Sequence, residues 1–132
     1  MRDSVETEAG PELRKVRFEP RRVDKPWGYE LIWAHTDRYV GKILHVRKGH
    51  ALSLQYHRAK DETIHLLAGR LELQTGDGQT LDRRVLSPGE SFHITAGLRH
   101  RMTALEDSDV LEASTPELDD VVRLEDRYGR VR

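Results

Sequence analysis

The stretch GHALSLQYHRAKDE, residues 49–62, combines a strand pattern with an unusual set of polar side chains. Side chains alternate between the two faces of a β-strand, so Ser53, Gln55 and His57 are predicted to share one face. The residues between them share the opposite face, which is apolar: Leu52, Leu54 and Tyr56. The apolar face must be covered from solvent, so the polar face cannot be assigned to the surface by default. We interpret the polar face as the lining of a cavity.

A turn of four residues, 58–61, separates this strand from a second one that begins at Glu62. The resulting hairpin places Glu62 beside His57, so that an amide oxygen, an imidazole and a carboxylate approach one point. Such a mixed nitrogen and oxygen set suits a divalent metal ion.

A fourth ligand is expected from a more distant strand whose inward face is otherwise apolar. His100 is the one polar member of the alternating row Leu98, His100, Met102 and Ala104. An imidazole in an apolar row needs a partner. The predicted metal ligands are therefore Gln55, His57, Glu62 and His100.

The rest of the chain predicts an all-β protein. Short segments rich in β-branched and aromatic residues are separated by turns that contain Gly, Pro, Asp or Ser, and no segment among them has a helical period. Nine strands are predicted, at residues 29–35, 39–47, 51–57, 62–68, 70–75, 80–86, 91–95, 98–105 and 110–114. Strands in succession without helices indicate a sandwich or barrel.

Length and composition exclude several classes of function. A chain of 132 residues without cysteine suits one domain, and it excludes disulfides, zinc–thiolate sites and cysteine nucleophiles. A net charge of −1 provides no field for nucleic acid, and no apolar run could span a membrane.

Residues 1–24 are predicted to be an arm, either disordered or wrapped as a strand around a single domain at 25–132. Without an apolar signal core, the chain is expected to be cytoplasmic.

Two spaced motifs resemble those of the cupin superfamily. The first motif is matched by Gly49, Gln55, His57, Glu62 and Gly69. The second is matched by Gly89, Gly97 and His100, with Thr95 in place of a proline. The resemblance implies a double-stranded β-helix, or jelly-roll barrel, and cupins of this kind commonly form homodimers.

Gln55, where most cupins have histidine, narrows the resemblance to phosphomannose isomerases. Three segments resemble the C-terminal isomerase domain of bifunctional mannose-6-phosphate isomerase/mannose-1-phosphate guanylyltransferases: KPWGYE at 25–30, LSLQYH at 52–57 and DDVVRLEDRYGR at 119–130. The resemblance implies one divalent ion, usually zinc, with manganese, iron, cobalt or nickel also compatible with these ligands. It also implies a sugar-phosphate substrate. Two departures stand out: Lys60 replaces an arginine of the family, and Thr63 replaces a histidine.

An aldose–ketose isomerase also needs groups that move a proton and hold a phosphate. The candidates are Lys60 and Arg127 for catalysis, and Arg58, Arg130 and Glu112 for substrate binding. Two alternatives stay open: another cupin metalloenzyme, such as a dioxygenase or lyase, and a non-catalytic module that binds a sugar or small acid. The remaining histidines are predicted to be structural or exposed: His35, His45, His50, His65 and His93.

Overall fold

The computed structural model describes residues 17–77 and 79–131, and within these ranges the chain forms eleven β-strands and no helix. The strands are β1 (Arg21–Lys25), β2 (Gly28–His35), β3 (Val40–Val46), β4 (Leu54–Tyr56), β5 (Glu62–Ala68), β6 (Leu71–Gly76), β7 (Leu81–Leu86), β8 (Ser91–Ile94), β9 (Arg99–Ala104), β10 (Ser108–Ser114) and β11 (Val122–Glu125). The described part of the chain thus contains no helix that could cross a membrane.

The strands form two antiparallel sheets. One sheet has the order β1-β2-β3-β10-β5-β8, and the other has the order β11-β4-β9-β6-β7. Sequence-distant strands are neighbours in both sheets, since β10 lies between β3 and β5 and β9 lies between β4 and β6. This connectivity confirms the predicted all-β jelly roll.

The core lies between the inner faces of the two sheets. Its inward rows follow the alternation of the strands: Ile64 and Leu66 on β5 face in, as do Met102 and Ala104 on β9. Trp27, in the turn between β1 and β2, belongs to the same cluster and is 2% exposed.

The nine predicted strands are present, and two further strands complete the described fold. β1 is an edge strand that pairs along its whole length with β2, and it crosses the predicted boundary between an arm at 1–24 and a domain at 25–132. Residues 17–20 precede it without regular structure, and residues 1–16 lie outside the described part. β11 lies in the tail and pairs with β4.

One extra residue in the stretch around β4 changes which side chains face inward. Ala51 pairs with Thr103, whereas Gln55 pairs with His100, so the register between these two strands shifts by one residue. Such a bulge interrupts the alternation of faces. Leu52 consequently lines the same cavity as Gln55, and the prediction that it faces the opposite side is wrong.

Candidate metal centre

Three buried side chains lie together, and two of them, His57 and Glu62, line a cavity of about 380 Å³ between the sheets. His57 follows β4, Glu62 begins β5 and His100 lies on β9. Their side chains are 2–3% exposed or, for His100, fully buried. Glu62 Oε2 lies 2.9 Å from His57 Nε2 and 3.5 Å from His100 Nε2. The hairpin predicted from residues 49–62 therefore brings His57 and Glu62 together, and β9 adds His100.

Backbone carbonyls fix the orientation of both imidazole rings. His57 Nδ1 donates to the carbonyl of Asp120 at 2.6 Å, and His100 Nδ1 donates to the carbonyl of Leu98 at 2.9 Å. Because a carbonyl oxygen only accepts, each Nδ1 carries the proton. In a neutral ring this leaves Nε2 with its lone pair directed at Glu62.

His57 Nε2 and Glu62 Oε2 share a hydrogen bond, whereas His100 Nε2 faces the same carboxylate without one. Burial by itself raises the pKa of Glu62, but the hydrogen bond with His57 and the charge of Lys60 outweigh it and bring the pKa to about 2. Burial lowers the pKa of His100, against the opposing charge of Glu62. The ionised carboxylate and neutral His100 are the forms that ligate a metal.

A divalent cation fits this arrangement. His100 Nε2 is buried and has no hydrogen-bond partner within the described ranges, which is costly for a polar atom unless something fills the position. The ligand atoms of His57, Glu62 and His100 all lie within 4.8 Å of one another. Nδ1–H groups anchored on carbonyls are the usual outer support of metal-bound histidines. These three residues could hold the ion.

Gln55 lies beside this group. It is the register partner of His100, it is half-buried, and it lines the cavity. Its Oε1 accepts a hydrogen bond from the Ser53 hydroxyl at 2.6 Å, which orients the amide. A carbonyl-type oxygen has a second lone pair, so this bond leaves Gln55 able to act as the predicted fourth ligand.

A buried network of opposite charges adjoins the three ligands. Lys60 Nζ lies 3.0 Å from Glu112 Oε2 and 3.7 Å from Glu62 Oε1. Burial, reinforced by the charge of Glu62, raises the pKa of Glu112. Burial alone would lower the pKa of Lys60, but the two carboxylates raise it, so the amine stays cationic. A second pair, Lys42 and Glu30 at 3.2 Å, lies on β3 and β2.

Six cationic and four acidic side chains line the described cavity, a net of two positive charges. The cations are Arg21, Lys25, Lys42, Lys60, Arg123 and Arg130. Burial lowers the pKa of Lys25, and the neighbouring charges of Lys42, Arg123 and Arg130 act in the same direction against Glu30. This balance favours an anionic ligand.

The structure separates the other predicted site residues into two groups. Lys60, Glu112 and Arg130 line the cavity, although Arg130 is also held by a bidentate bond to Asp126. Arg58 and Arg127 do not line it. Both are exposed, and Arg127 donates to the carbonyl of Gly49 at 2.7 Å.

Of the two departures from the family pattern, only one concerns the cavity. Thr63 is exposed on the outer face of β5, whereas Lys60 points inward. Four of the five remaining histidines have a polar partner at 2.7–2.8 Å: Asp109 for His45, Tyr128 for His50, Ser91 for His65 and Asp61 for His93. His35 is exposed at the cavity rim.

Sequence reasoning missed Lys42, Glu30 and Asp120. Lys42 offered a signal, because it is the charged residue of an inward row that otherwise reads Val40, Leu44 and Val46. Glu30 and Asp120 offered none, since their partners are set by contacts between distant parts of the chain.

Known proteins resemble this chain in sequence and structure. Residues 42–113, more than half of the chain, match the family model described as Cupin domain. A mannose-1-phosphate guanylyltransferase of Escherichia coli (strain K12) is 39% identical over 117 residues, which cover 84% of this chain and 23% of that relative. The xanthan biosynthesis protein XanB of Xanthomonas campestris pv. campestris (strain B100) is 35% identical over 116 residues, 83% of this chain and 24% of its own length. The chain spans about a quarter of the length of these curated relatives.

A solved structure is also similar to this chain. KdgF from Halomonas sp. superposes with a TM-score of 0.66 at 26% identity, over 77% of this chain and 89% of its own. The family model, the two-sheet architecture and the buried histidine–glutamate group agree with the motifs read from residues 49–100. The chain belongs to the cupin family.

Proposed function

We propose that this cupin is a metal-dependent aldose–ketose isomerase for a sugar phosphate, of the mannose 6-phosphate/fructose 6-phosphate type. One observation carries the proposal: a buried ligand group of His57, Glu62 and His100 adjoins a buried Lys60–Glu112 ion pair in one cavity. Such an isomerisation needs a group that polarises oxygen and a group that carries a proton. The chain is similar to part of a mannose-1-phosphate guanylyltransferase and to part of a xanthan biosynthesis protein, and this similarity supports sugar-phosphate chemistry.

His57, Glu62 and His100 would hold the ion, with Gln55 completing the set. A bound divalent ion supplies a Lewis acid that stabilises negative charge on a substrate oxygen. Zinc is the metal we expect, and imidazole and carboxylate ligands also accept manganese, iron, cobalt or nickel.

The reaction moves one proton from C2 to C1 and one from the C2 hydroxyl to the C1 oxygen, with no oxidant or reductant. In the Lys60–Glu112 pair the carboxylate can accept a proton from the sugar, and the ammonium can donate to a sugar oxygen. We assign to Glu112 the removal of the proton from C2 of the aldose and its return to C1. Lys60, 3.0 Å away, donates to the sugar oxygens, and its charge lowers the pKa of Glu112 against the effect of burial.

The cations of the cavity would hold the phosphate. Lys25, Arg123 and Arg130 line it from β1 and the tail, and the net charge of the lining is positive. A volume of about 380 Å³ lies in the range of small-molecule sites. Arg58 and Arg127, which do not line the cavity, have no part in this assignment.

The test is to incubate the zinc-loaded protein with mannose 6-phosphate in deuterated water and to follow the sugar by proton NMR. We expect fructose 6-phosphate to form and solvent deuterium to enter at the exchanging carbon. Glu112→Gln should abolish turnover while zinc stays bound, and Thr63→Ala, on the outer face, is the matched control. A zinc-loaded protein that leaves the two sugars unequilibrated would refute this substrate pair, and stabilisation by the sugar without turnover would indicate a binding module instead.

A further inference from the structure

The segment that precedes β11 is bonded to the turn of the metal centre through Asp120. Asp120 Oδ1 accepts a hydrogen bond from the backbone N–H of Arg58 at 2.9 Å, and Oδ2 accepts from Ala59 at 2.7 Å and Lys60 at 2.9 Å. The main-chain carbonyl of the same residue accepts from His57 Nδ1 at 2.6 Å. Asp120 therefore bonds to four consecutive residues.

Those four residues, 57–60, are His57 and the first three residues of the turn at 58–61. His57 lies directly before the turn, Lys60 near its end, and Glu62 two residues later. The strand before the turn, β4, has only three residues, and its pairing with β9 runs through Gln55 alone. So short a strand gives the turn little support from the sheet, and Asp120 adds its four hydrogen bonds to those that Gly97 makes with His57 and Thr115 makes with Asp61.

We propose that Asp120 is a positioning residue: its carboxylate clamps the turn and so holds its own carbonyl against His57, which directs Nε2 of that ring at the metal. The carboxylate fixes the distance between two chain segments that are about 60 residues apart in sequence. The carbonyl then fixes the tautomer and the tilt of the ring, the role that outer-shell partners play for metal-bound histidines.

The pairing of β11 with β4 makes the clamp part of the fold. Val122 pairs with Tyr56 and Arg123 with Gln55, so the tail enters the sheet two residues after Asp120. The tail thereby becomes a structural component of the metal centre although it contributes no ligand. This inference rests on the metal site of the proposed function, but not on which reaction that site catalyses.

The test compares the wild-type protein with Asp120→Ala and Asp120→Asn by cobalt(II) titration, followed through the ligand-field absorbance. Asp107→Ala is the matched control, because Asp107 also accepts a backbone N–H, that of Lys48 at 2.7 Å, but does not line the cavity. We expect Asp120→Ala to weaken cobalt binding by about 10–100-fold, the usual effect of losing an outer-shell partner. Asp120→Asn should be intermediate, because one of its two atoms still accepts, and Asp107→Ala should match the wild type.

A second readout uses the metal-free proteins. Nitrogen-15 NMR of the His57 ring should show the Nδ1–H form in the wild type and a mixture of tautomers in Asp120→Ala, and the amides of residues 58–60 should exchange faster. Wild-type cobalt affinity together with an unchanged His57 tautomer in Asp120→Ala would overturn the proposal. If Asp120→Ala does not fold, Asp120→Asn decides by the same two measurements. If the wild type binds no cobalt, the metal site of the proposed function fails. The His57 tautomer alone then tests whether Asp120 positions the ring.

Discussion

The buried Lys60 offers a quantitative test of the charge network. Its ammonium lies 3.0 Å from Glu112 and 3.7 Å from Glu62, and all three side chains are 2–6% exposed. At an effective dielectric constant of about 20, unit charges at these distances attract by about 5–6 and about 4–5 kcal/mol. Desolvation offsets much of this attraction. For Lys60→Met we therefore expect a loss of about 3–5 kcal/mol in the free energy of unfolding, the range for breaking a buried ion pair.

The loss should depend on pH with a defined sign. Burial already raises the pKa of Glu112 above its ordinary value, and without Lys60 nothing close by lowers it as strongly. A carboxyl whose folded pKa is raised binds its proton more tightly in the folded state, so stability falls as pH rises from the unfolded pKa through the folded one. Lys60→Met should therefore be less destabilising at pH 5 than at pH 8.

Urea denaturation of the metal-free proteins measures both effects. The double variant Lys60→Met/Glu112→Gln removes the charges of both partners and should recover about 2 kcal/mol or more of the loss. Lys48→Met, at an exposed lysine, is the control and should be neutral. A loss below about 1 kcal/mol in Lys60→Met, well under the range for a buried pair, would show that Lys60 does not stabilise the fold as a buried ion pair. So would a loss that is the same at both pH values, or a double variant no more stable than the single one.

Three further predictions concern the ligands, the tail and the core. His100→Ala should weaken cobalt binding by at least about 100-fold, more than the loss of an outer-shell partner, whereas His65→Ala on the outer face should leave the titration unchanged. The hydrogen bond from Arg130 holds the pKa of Asp126 at about 2 against an ordinary value of 3.8. The stability that Asp126 contributes is therefore present above pH 4 and lost as pH falls toward 2, and Asp126→Asn should flatten that acid limb in circular dichroism at graded pH. Trp27→Ala should cost about 3–5 kcal/mol in urea denaturation, because a fully buried aromatic leaves a large cavity.

The inner strands could be predicted because their burial follows alternation. On β9, and on β5 as far as Leu66, every second side chain is buried, and most of those positions are apolar. For residues 21–24 the sequence left disorder and a wrapping strand open, because three of the four exposed residues of β1 are charged and the strand is held by backbone pairing with β2. The bulge near Leu52 depends on the register with β9, which one strand's sequence does not contain.

Part of the site followed from local geometry and part did not. His57 and Glu62 meet because a four-residue turn joins their strands, and His100 stood out as the polar member of an apolar row. Arg58 and Arg127 were equally plausible by chemistry, yet the direction of a long side chain at a turn depends on contacts such as the one from Arg127 to Gly49. The clamp by Asp120 joins segments about 60 residues apart, so only the assembled fold displays it.

We propose that side chains from β9 and from the hairpin of β4 and β5 hold one cation. Anomalous diffraction from crystals of the cobalt-loaded protein would locate that cation. We expect one strong peak about 2.0–2.3 Å from Nε2 of His57, Nε2 of His100 and a carboxylate oxygen of Glu62, with the Gln55 oxygen at a similar distance. A peak at another histidine, such as His93, or no peak in protein that binds cobalt in solution, would contradict it.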